Sequence, residues 1–239
     1  MLRYPATPRV QTVNCCELAV GPGVWDYALA HQAGIETDWT TAQARQPNFF
    51  NGTIHLVDAL RIDGGTLTAR LLQTDFKSYL HWRQAGYPET GVCDGFGSAL
   101  LQARDGAVLL GRQRSGNINA GLAYLPGGFI DGRDVADDGS IDIEASIARE
   151  LEEETGLTAL DVVRAPGFLI TQSHAQLSFA VRYTSALAAA DLKARIERHI
   201  ATDANSELAD MVVVRRADDM VGLAMPPYAR ALLQSFMPA

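Results

Sequence analysis

The pattern of apolar positions in the first third of the chain predicts a β-hairpin followed by a helix. Residues 53–62 and 66–72 are rich in apolar and β-branched side chains, and an Asp-Gly-Gly turn lies between them. Two such runs joined by a glycine-containing turn are typical of a hairpin. Thr74 or Asp75 then caps a helix that runs to about residue 85. A shorter helix is predicted over residues 24–32.

The chain from residue 95 onward shows strands and helices without a strict βαβ alternation. The predicted strands cover residues 96–103, 107–112, 168–171, 178–183 and 211–215, and the predicted helices cover residues 142–155, 188–199 and 228–236. This order favours an α+β fold over a doubly wound parallel sheet. The Gly- and Pro-containing stretch 86–91 interrupts the preceding helical pattern, so we place a boundary there. The predicted units are an N-terminal mixed α/β segment, 1–90, and a second domain, 91–239.

Composition and charge narrow the classes of function. The 239 residues include 20 Lys and Arg and 28 Asp and Glu, which gives a formal net charge of −8. This surplus of acid argues against a protein that binds nucleic acids or anionic membranes through a basic face. No apolar run is long enough to span a membrane. The three cysteines are an odd number, which favours reduced thiols and a cytoplasmic location.

Residues 149–157, Arg-Glu-Leu-Glu-Glu-Glu-Thr-Gly-Leu, place four carboxylates within five positions of a predicted helix. Glu150 and Glu154 lie about 40° apart around the helix axis, and Glu153 lies about 60° to the other side of Glu150. Arg149 and Glu153 form an i,i+4 pair that would hold one carboxylate in place. Like charges on one helix face repel each other, so something positive should offset them. Oxygen ligands alone favour a hard cation such as Mg²⁺ or Mn²⁺, although a solvated charged face is the alternative interpretation.

Through residues 149–157 the sequence resembles the Nudix hydrolase family. The family box is a Gly, five residues, a Glu, seven residues, and then Arg-Glu-apolar-x-Glu-Glu-x-Gly-apolar. Its second half is matched in full by Arg149, Glu150, Leu151, Glu153, Glu154, Gly156 and Leu157. The preceding Leu-Pro-Gly-Gly, residues 125–128, is also similar to the strand and loop with which the box begins. The resemblance covers about half of the chain and implies a Nudix-type α/β/α sandwich with a mixed sheet.

The first half of the box departs from the family pattern. The sixth residue after Gly128 is Asp134 rather than Glu, and Arg149 follows after fourteen residues instead of seven. Residues 135–141 therefore have the character of a seven-residue insertion before the helix. The first glutamate of the box is therefore either replaced by Asp134 or lost. In the family this glutamate mainly steadies the loop, so the resemblance implies that activity survives, whereas it does not predict whether the loop is ordered.

The resemblance implies hydrolysis of a nucleoside diphosphate linked to another group, with Mg²⁺ or Mn²⁺ as the cofactor. The implied metal ligands are three glutamates and a glycine carbonyl: Glu150, Glu153, Glu154, and Gly127 or Gly128. Arg149 would contact Glu153 without binding the metal and would thereby orient that carboxylate. The catalytic groups would be Glu153 and Glu154, together with Glu207, which precedes a late strand where the family often has its base. A surface acid or a helix cap is the alternative for Glu207.

Three further polar residues are candidates for binding the substrate. Arg112 and Arg114 follow a predicted strand and would contact phosphates, and His174 lies in a polar stretch near the expected pocket. The alternative interpretations are solvated basic residues at a strand end and a structural histidine.

The identity of the substrate depends on the N-terminal segment. Residues 49–56, 74–76 and 79–83 are loosely similar to the front half of the Nudix-type UDP-glucose pyrophosphatases, which implies a nucleotide sugar cut to UMP and sugar 1-phosphate. An ADP-ribose-type pyrophosphatase is the alternative, and a non-catalytic Nudix-fold nucleotide sensor is the third. The expected partner is a small nucleoside diphosphate, with neither nucleic acid nor membrane. Many relatives form homodimers through an N-terminal region, so the N-terminal segment would either pair two copies or cover the pocket.

Overall fold

Two mixed β-sheets organise the computed structural model, which describes residues 2–237. Within that range, no helix is both long and apolar enough to cross a membrane. The elements of the N-terminal segment are β1 (Arg9–Val13), β2 (Cys15–Val20), α1 (Asp26–Ala30), α2 (Gln32–Arg45), β3 (Thr53–Asp63), β4 (Thr66–Asp75) and α3 (Phe76–Gln84).

The rest of the described chain adds eight strands and three α-helices. These are β5 (Asp94–Gln102), β6 (Val108–Gln113), β7 (Ala123–Tyr124), β8 (Ser140–Ile141), α4 (Ile143–Thr155), β9 (Val162–Arg164), β10 (Phe168–Ser173), β11 (Gln176–Ser185), α5 (Ala189–Thr202), β12 (Leu208–Val214) and α6 (Pro227–Phe236). Short 3₁₀ turns occupy Gly132–Asp134 and Ala217–Met220.

The larger sheet runs in the order β1-β10-β11-β5-β6-β12, with β7 beside β6 and β9 beside β11. Strands β11 and β5 are parallel, whereas the other pairs in this sheet are antiparallel. The smaller sheet runs β3-β4-β2-β8, and its β2–β4 pair is parallel. Both sheets are therefore mixed, in agreement with the α+β prediction.

Helices cover both faces of the larger sheet because its side chains alternate in direction along each strand. On one face, Leu101 packs in the same buried cluster as Ile147 of α4 and Leu192 of α5. On the other face, Leu100 packs with Leu232 of α6. The result is an α/β/α sandwich, which confirms the fold class that the sequence predicted.

The hairpin and the two helices that matter for the site agree with the sequence analysis. Strands β3 and β4 form the predicted hairpin, α3 begins after its N-cap Asp75, and α4 ends at Gly156. The predicted helix at 24–32 is instead the short α1, and the much longer α2 follows it. Helix α2 was missed because its buried side chains, Ile35, Trp39 and Ala42, form a narrow stripe in an otherwise polar sequence.

The N-terminal segment and the second unit exchange strands. Strand β1 pairs with β10 at the edge of the larger sheet, and β8, from the insertion at 135–141, pairs with β2 of the smaller sheet. Strand β3 also bonds to the loop before α4, where the His55 N–H donates to the Ile130 carbonyl at 2.9 Å. These contacts join the two units along a seam beside the box. The boundary at residue 90 remains a prediction.

Candidate active site

Helix α4 holds its glutamates at the edge of the sandwich because both of its ends and its apolar face are fixed. The Asp142 side chain caps the N-terminus by accepting a hydrogen bond from the Ala145 N–H at 3.0 Å. Gly156 ends the helix in the left-handed conformation, with φ of 68°, which glycine adopts without strain. Ile147 is buried against the sheet. The glutamates positioned in this way are Glu150, Glu153 and Glu154.

Glu154 is the most enclosed of these carboxylates. Its Oε2 accepts a hydrogen bond from the Gly127 N–H at 2.9 Å. Burial raises the pKa of Glu154 well above its usual range; the hydrogen bond from Gly127 lowers it, and negative Glu207 and Glu150 raise it further. A buried carboxylate among negative neighbours is costly unless a cation compensates it.

The Gly127-Gly128 pair lets the backbone approach these carboxylates closely. A Cβ atom at Gly128 would lie 2.6 Å from Glu150 Oε2, and one at Gly127 would lie 2.1 Å from the Gly97 carbonyl oxygen. Any side chain at either position would therefore displace the loop or the glutamate. The Gly128 carbonyl accepts a hydrogen bond from the Gly97 N–H at 3.1 Å. Within residues 2–237, the Gly127 carbonyl accepts none.

Glu150 and Glu207 line the same cleft from two different elements. Burial raises the pKa of Glu150 to about 7, although Arg149 lowers it. Glu207 lies just before β12, and its Oε2 accepts a hydrogen bond from Gln113 Nε2 at 3.4 Å. Glu207 is exposed, but partial desolvation at the cleft wall raises its pKa, and the hydrogen bond from Gln113 lowers it. The structure thus brings the predicted Glu207 to the same region as the glutamates of the helix.

Arg149 has different partners from those that the sequence predicted. Its guanidinium forms an ion pair with Asp134 at 2.7 Å and lies 3.4 Å from Glu150. The predicted pairing of Arg149 with Glu153 is therefore corrected. Asp134, which is nearly buried, also accepts a hydrogen bond from the Asp131 N–H at 2.9 Å. Asp134 thus ties the loop to the helix, in the position where the family has its first glutamate.

The cation beside Glu153 is Arg133, which the sequence analysis did not single out. Its Nη1 lies 3.4 Å from Glu153 Oε1, and the Asp131 carboxylate holds the same guanidinium at 2.8 Å. The Glu153 side chain is half-exposed. Among Glu150, Glu153 and Glu154, Glu153 is therefore the one that reaches towards solvent.

A cleft of about 840 Å³ opens in front of these groups, and both units of the chain form its walls. The N-terminal segment contributes Asn51, Phe76 and Arg83, and the second unit contributes Gln113, Tyr124 and Phe129. The volume falls within the range of small-molecule sites in proteins. Mixed aromatic and polar walls beside a carboxylate cluster suit a ligand with a ring at one end and a charged group at the other.

The structure does not bring the three predicted substrate-binding residues to this cleft. Arg112 points away from it and forms an ion pair with Asp210 at 3.2 Å, and Arg114 lies outside the cleft lining. Because side chains alternate along a strand, Gln113 faces the cleft instead, and this alternation could have been read from the sequence. His174 is exposed in the tight β10–β11 turn and packs on the Tyr4 ring, with centroids 4.7 Å apart.

The donor chemistry of the site fits a hard divalent cation. Glu150 and Glu154 offer carboxylate oxygens whose pKa is raised by burial, and the Gly127 carbonyl adds an oxygen. Among residues 2–237, no three or more His, Cys, Asp and Glu side chains converge as a ready-made cluster of ligands. This arrangement suits Mg²⁺ better than a caged metal, because Mg²⁺ takes one or two carboxylates and completes its shell with water and phosphate oxygens.

A model of the NUDIX domain matches residues 94–218, which is just over half of the chain. The chain belongs to the Nudix family. It is thus a Nudix hydrolase, and the reaction class of the family is hydrolysis of a nucleoside diphosphate linked to another group. Nudix hydrolases use divalent metals and act on small nucleotides. No curated protein matches the chain in sequence.

Several solved structures resemble parts of this Nudix hydrolase. A MutT protein from Methanosarcina mazei Go1 is 23% identical, with 59% of this chain and 91% of that chain covered and a TM-score of 0.40. The Nudix hydrolase RenU from M. smegmatis is 20% identical, with 59% and 82% covered and a TM-score of 0.38. A bifunctional NMN adenylyltransferase/ADP ribose pyrophosphatase from Francisella tularensis is 15% identical, with 64% and 42% covered and a TM-score of 0.40. At these TM-scores the similarities carry no argument about the substrate.

Proposed function

We propose that this Nudix hydrolase cleaves a nucleotide sugar such as UDP-glucose, with Mg²⁺ or Mn²⁺, into a nucleoside monophosphate and a sugar 1-phosphate. The observation that carries the proposal is the enclosed carboxylate cluster at a cleft with two walls. Glu150 and Glu154 are buried with raised pKa values, and Glu207 joins them across the cleft. Such carboxylates need a cation to compensate their charge, and a diphosphate substrate binds together with a divalent cation.

A metal ion would be held by one or two carboxylates from Glu150, Glu153 and Glu154 of α4 and by the Gly127 carbonyl. We choose Gly127 over Gly128 because the Gly128 carbonyl already accepts a hydrogen bond from Gly97. A bound divalent ion supplies charge neutralisation for the diphosphate and lowers the pKa of a coordinated water. Arg149 acts indirectly in this proposal, because its ion pair with Asp134 fixes the loop that carries the two glycines.

Glu207 is the proposed acceptor of the proton of the attacking water. In the reaction, the water oxygen bonds to one phosphorus while the bridging P–O bond breaks, and the water gives up a proton. A base works best when its pKa lies near the working pH, and partial desolvation raises the pKa of Glu207 in that direction. Gln113 Nε2, 3.4 Å from Glu207 Oε2, would orient the carboxylate.

The nucleotide-sugar assignment is supported by the wall that the N-terminal segment adds to the cleft. Asn51 and Phe76 fall within the stretches that resemble the UDP-glucose pyrophosphatases, and both line the cleft. Arg83, from the same segment, donates hydrogen bonds to Asn119 Oδ1 at 2.8 Å and to the Ile118 carbonyl at 3.0 Å. This ties the wall to the loop on the opposite side. Homodimer formation and a cytoplasmic location stay predictions.

The test is a substrate panel with matched variants. UDP-glucose, ADP-ribose, NADH, CoA and diadenosine compounds are incubated with Mg²⁺ or Mn²⁺, and the products are separated by chromatography. We expect UDP-glucose to give UMP and glucose 1-phosphate fastest, and Glu154→Gln to lower kcat on the order of 100-fold or more. Running the reaction in ¹⁸O-labelled water identifies the phosphorus attacked.

The matched control is Glu152→Gln, which makes the same change on an exposed residue of the same helix. It should leave kcat within about twofold of the wild type. Faster cleavage of ADP-ribose than of UDP-glucose would reject the nucleotide-sugar assignment. Nucleotide binding without turnover of any compound, with either metal, would favour the sensor instead.

A further inference from the structure

Arg133 reaches the proposed metal ligands from the loop that the family box leaves variable. It lies in the 3₁₀ turn Gly132–Asp134, between the glycine pair and α4, and its side chain is 59% exposed. Asp131 holds the guanidinium from one side, with Oδ2 at 2.8 Å from Nη2 and at 3.0 Å from Nε. Asp131 therefore holds the Nε and Nη2 edge of the guanidinium, and Nη1 is left to face Glu153 at the wall of the cleft.

The tip of Arg133 lies between two carboxylates of α4. Nη1 is 3.4 Å from Glu153 Oε1, and Nη2 is 3.8 Å from Glu150 Oε1. These contacts are longer than the 2.8 Å contact with Asp131, so the guanidinium balances charge there without being locked in place. The positive charge occupies the region where a divalent ion held by Glu150 and Glu153 would bring its own charge.

A guanidinium and a divalent cation beside the same two carboxylates repel each other. Entry of the metal should therefore displace the Nη1 edge of the guanidinium from the α4 carboxylates, while the bonds of Nε and Nη2 to Asp131 keep Arg133 at the cleft. In the working enzyme the diphosphate of the substrate brings a further anion to this part of the cleft, and the planar fork of arginine suits phosphate oxygens. We propose that Arg133 is a tethered cation that competes with divalent metal for Glu150 and Glu153 and then binds the substrate diphosphate.

The first half of the proposal is tested with metal alone. Mn²⁺ is titrated calorimetrically into the wild type, Arg133→Ala and Arg133→Gln, the latter preserving much of the length of the side chain. Loss of two partly exposed ion pairs should tighten the Mn²⁺ Kd by roughly three- to tenfold in both variants. The control is Arg61→Ala, which changes the net charge equally but lies in an exposed ion pair with Asp63. Its Kd should match the wild type.

The second half is tested at saturating Mn²⁺ with methylenediphosphonate, a diphosphate mimic that cannot be hydrolysed. Arg133→Ala should weaken its binding by roughly three- to tenfold, and Arg61→Ala should not. Unchanged or weaker Mn²⁺ binding by both Arg133 variants would overturn the competition, and unchanged binding of the mimic would overturn the role in substrate binding. Absence of Mn²⁺ binding to the wild type would overturn both.

This inference rests on the proposed function only in taking the α4 glutamates as metal ligands. The substrate panel and the metal titration can fail independently. If no compound in the panel is cleaved but the Arg133 variants still bind Mn²⁺ more tightly, the proposed substrate is wrong and the competition stands. If UDP-glucose is cleaved and the Mn²⁺ affinity does not change, the competition is wrong and the function stands.

Discussion

At the scale of single residues, the unusual feature of this molecule is how many acids it buries at one place. Glu154 is buried, and the side chain of Glu150 is only 14% exposed. Transfer of an ionised carboxylate out of water is costly, and negative neighbours increase that cost. The fold retains these groups because α4 and the Gly-Gly loop fix them in place. Because a cation relieves the repulsion between these carboxylates, the site should bind it more strongly than the same residues would on an open surface.

Asp94 provides a test of burial at a residue outside the metal ligands. Its Oδ2 accepts a hydrogen bond from the Tyr79 hydroxyl at 2.9 Å, while Oδ1 has no partner within residues 2–237. Burial raises the pKa of Asp94 from 3.8 to about 6, and the Tyr79 hydrogen bond and Arg83 lower it. Because the folded-state pKa is raised, the stability linked to this carboxyl is complete below about pH 4. It is lost as the pH rises through about 6.

Asp94→Asn should remove this pH dependence while keeping an oxygen acceptor for Tyr79. The free energy of unfolding of the variant, relative to the wild type, should increase by about 3 kcal/mol between pH 4 and pH 7. Urea unfolding at several pH values measures the difference, from which the contributions of the other acids cancel. Asp137→Asn, the same change on an exposed residue, is the control. A difference that stays constant with pH would contradict the prediction.

Spacing along the chain was enough to locate the glutamates of the site but not all of their partners. Helical geometry predicted that Glu150, Glu153 and Glu154 share one face, whereas their role as metal ligands and the choice of Glu207 came from the resemblance to the family. The partner of Arg149 could not be predicted in this way, because fourteen residues, which include β8 and the start of α4, separate it from Asp134. The prediction for His174 failed for a similar reason, since the direction of a side chain in a turn is set by contacts distant in sequence, here the Tyr4 ring. The prediction for Arg112 failed because the alternation of side chains along its strand was not applied.

At the scale of elements, local patterns predicted the hairpin, α3 and α4 well. Each has a strong signal within its own sequence, such as the turn at 63–65 or the cap at Asp142. Strands β2 and β8 carry no comparable signal, because each is short and depends on partners far away in the chain. Their pairing shows that the insertion at 135–141 is an ordered part of the smaller sheet.

Ile141 should contribute strongly to stability although it lies in the inserted segment. It is 5% exposed, pairs with Leu18 across β8 and β2, and packs in the main core cluster. Ile141→Ala should lower the free energy of unfolding by about 2–4 kcal/mol, because it leaves a cavity in that core. Urea unfolding measures the loss.

The neighbouring Ser140 gives the control for this prediction. It lies in the same short strand but is exposed, and among residues 2–237 its hydroxyl donates a hydrogen bond to Asp138 alone. Ser140→Ala should change the free energy of unfolding by less than about 0.5 kcal/mol. Equal, small effects of the two substitutions would mean that the insertion lies on the surface without supporting the fold.

At the scale of the whole molecule, the net charge of −8 and the seam between the two units are both related to the cleft. Four acids, Glu150, Glu153, Glu154 and Glu207, amount to half of that net charge, and all lie near the cleft that the two units share. Metal and substrate binding should therefore bring the protein closer to neutrality and draw on both units. A cleft of this kind keeps its geometry only if the units remain fixed to each other.

The seam predicts that the chain unfolds as one cooperative unit. Strand β1 covers the β10 edge, β2 pairs with β8, and Val57 pairs with Cys93 in an isolated bridge. All three tryptophans, Trp25, Trp39 and Trp82, lie in the N-terminal segment, so their fluorescence reports on that segment while far-UV circular dichroism reports on the whole chain. In urea the two signals should give the same midpoint.

A fragment covering residues 91–239 is the control. We expect it to be poorly soluble or to unfold at a lower urea concentration, because it exposes the β10 edge and leaves β8 without its β2 partner. An earlier fluorescence transition, together with a stable fragment, would instead establish the predicted boundary near residue 90 as a true division between independently folding domains.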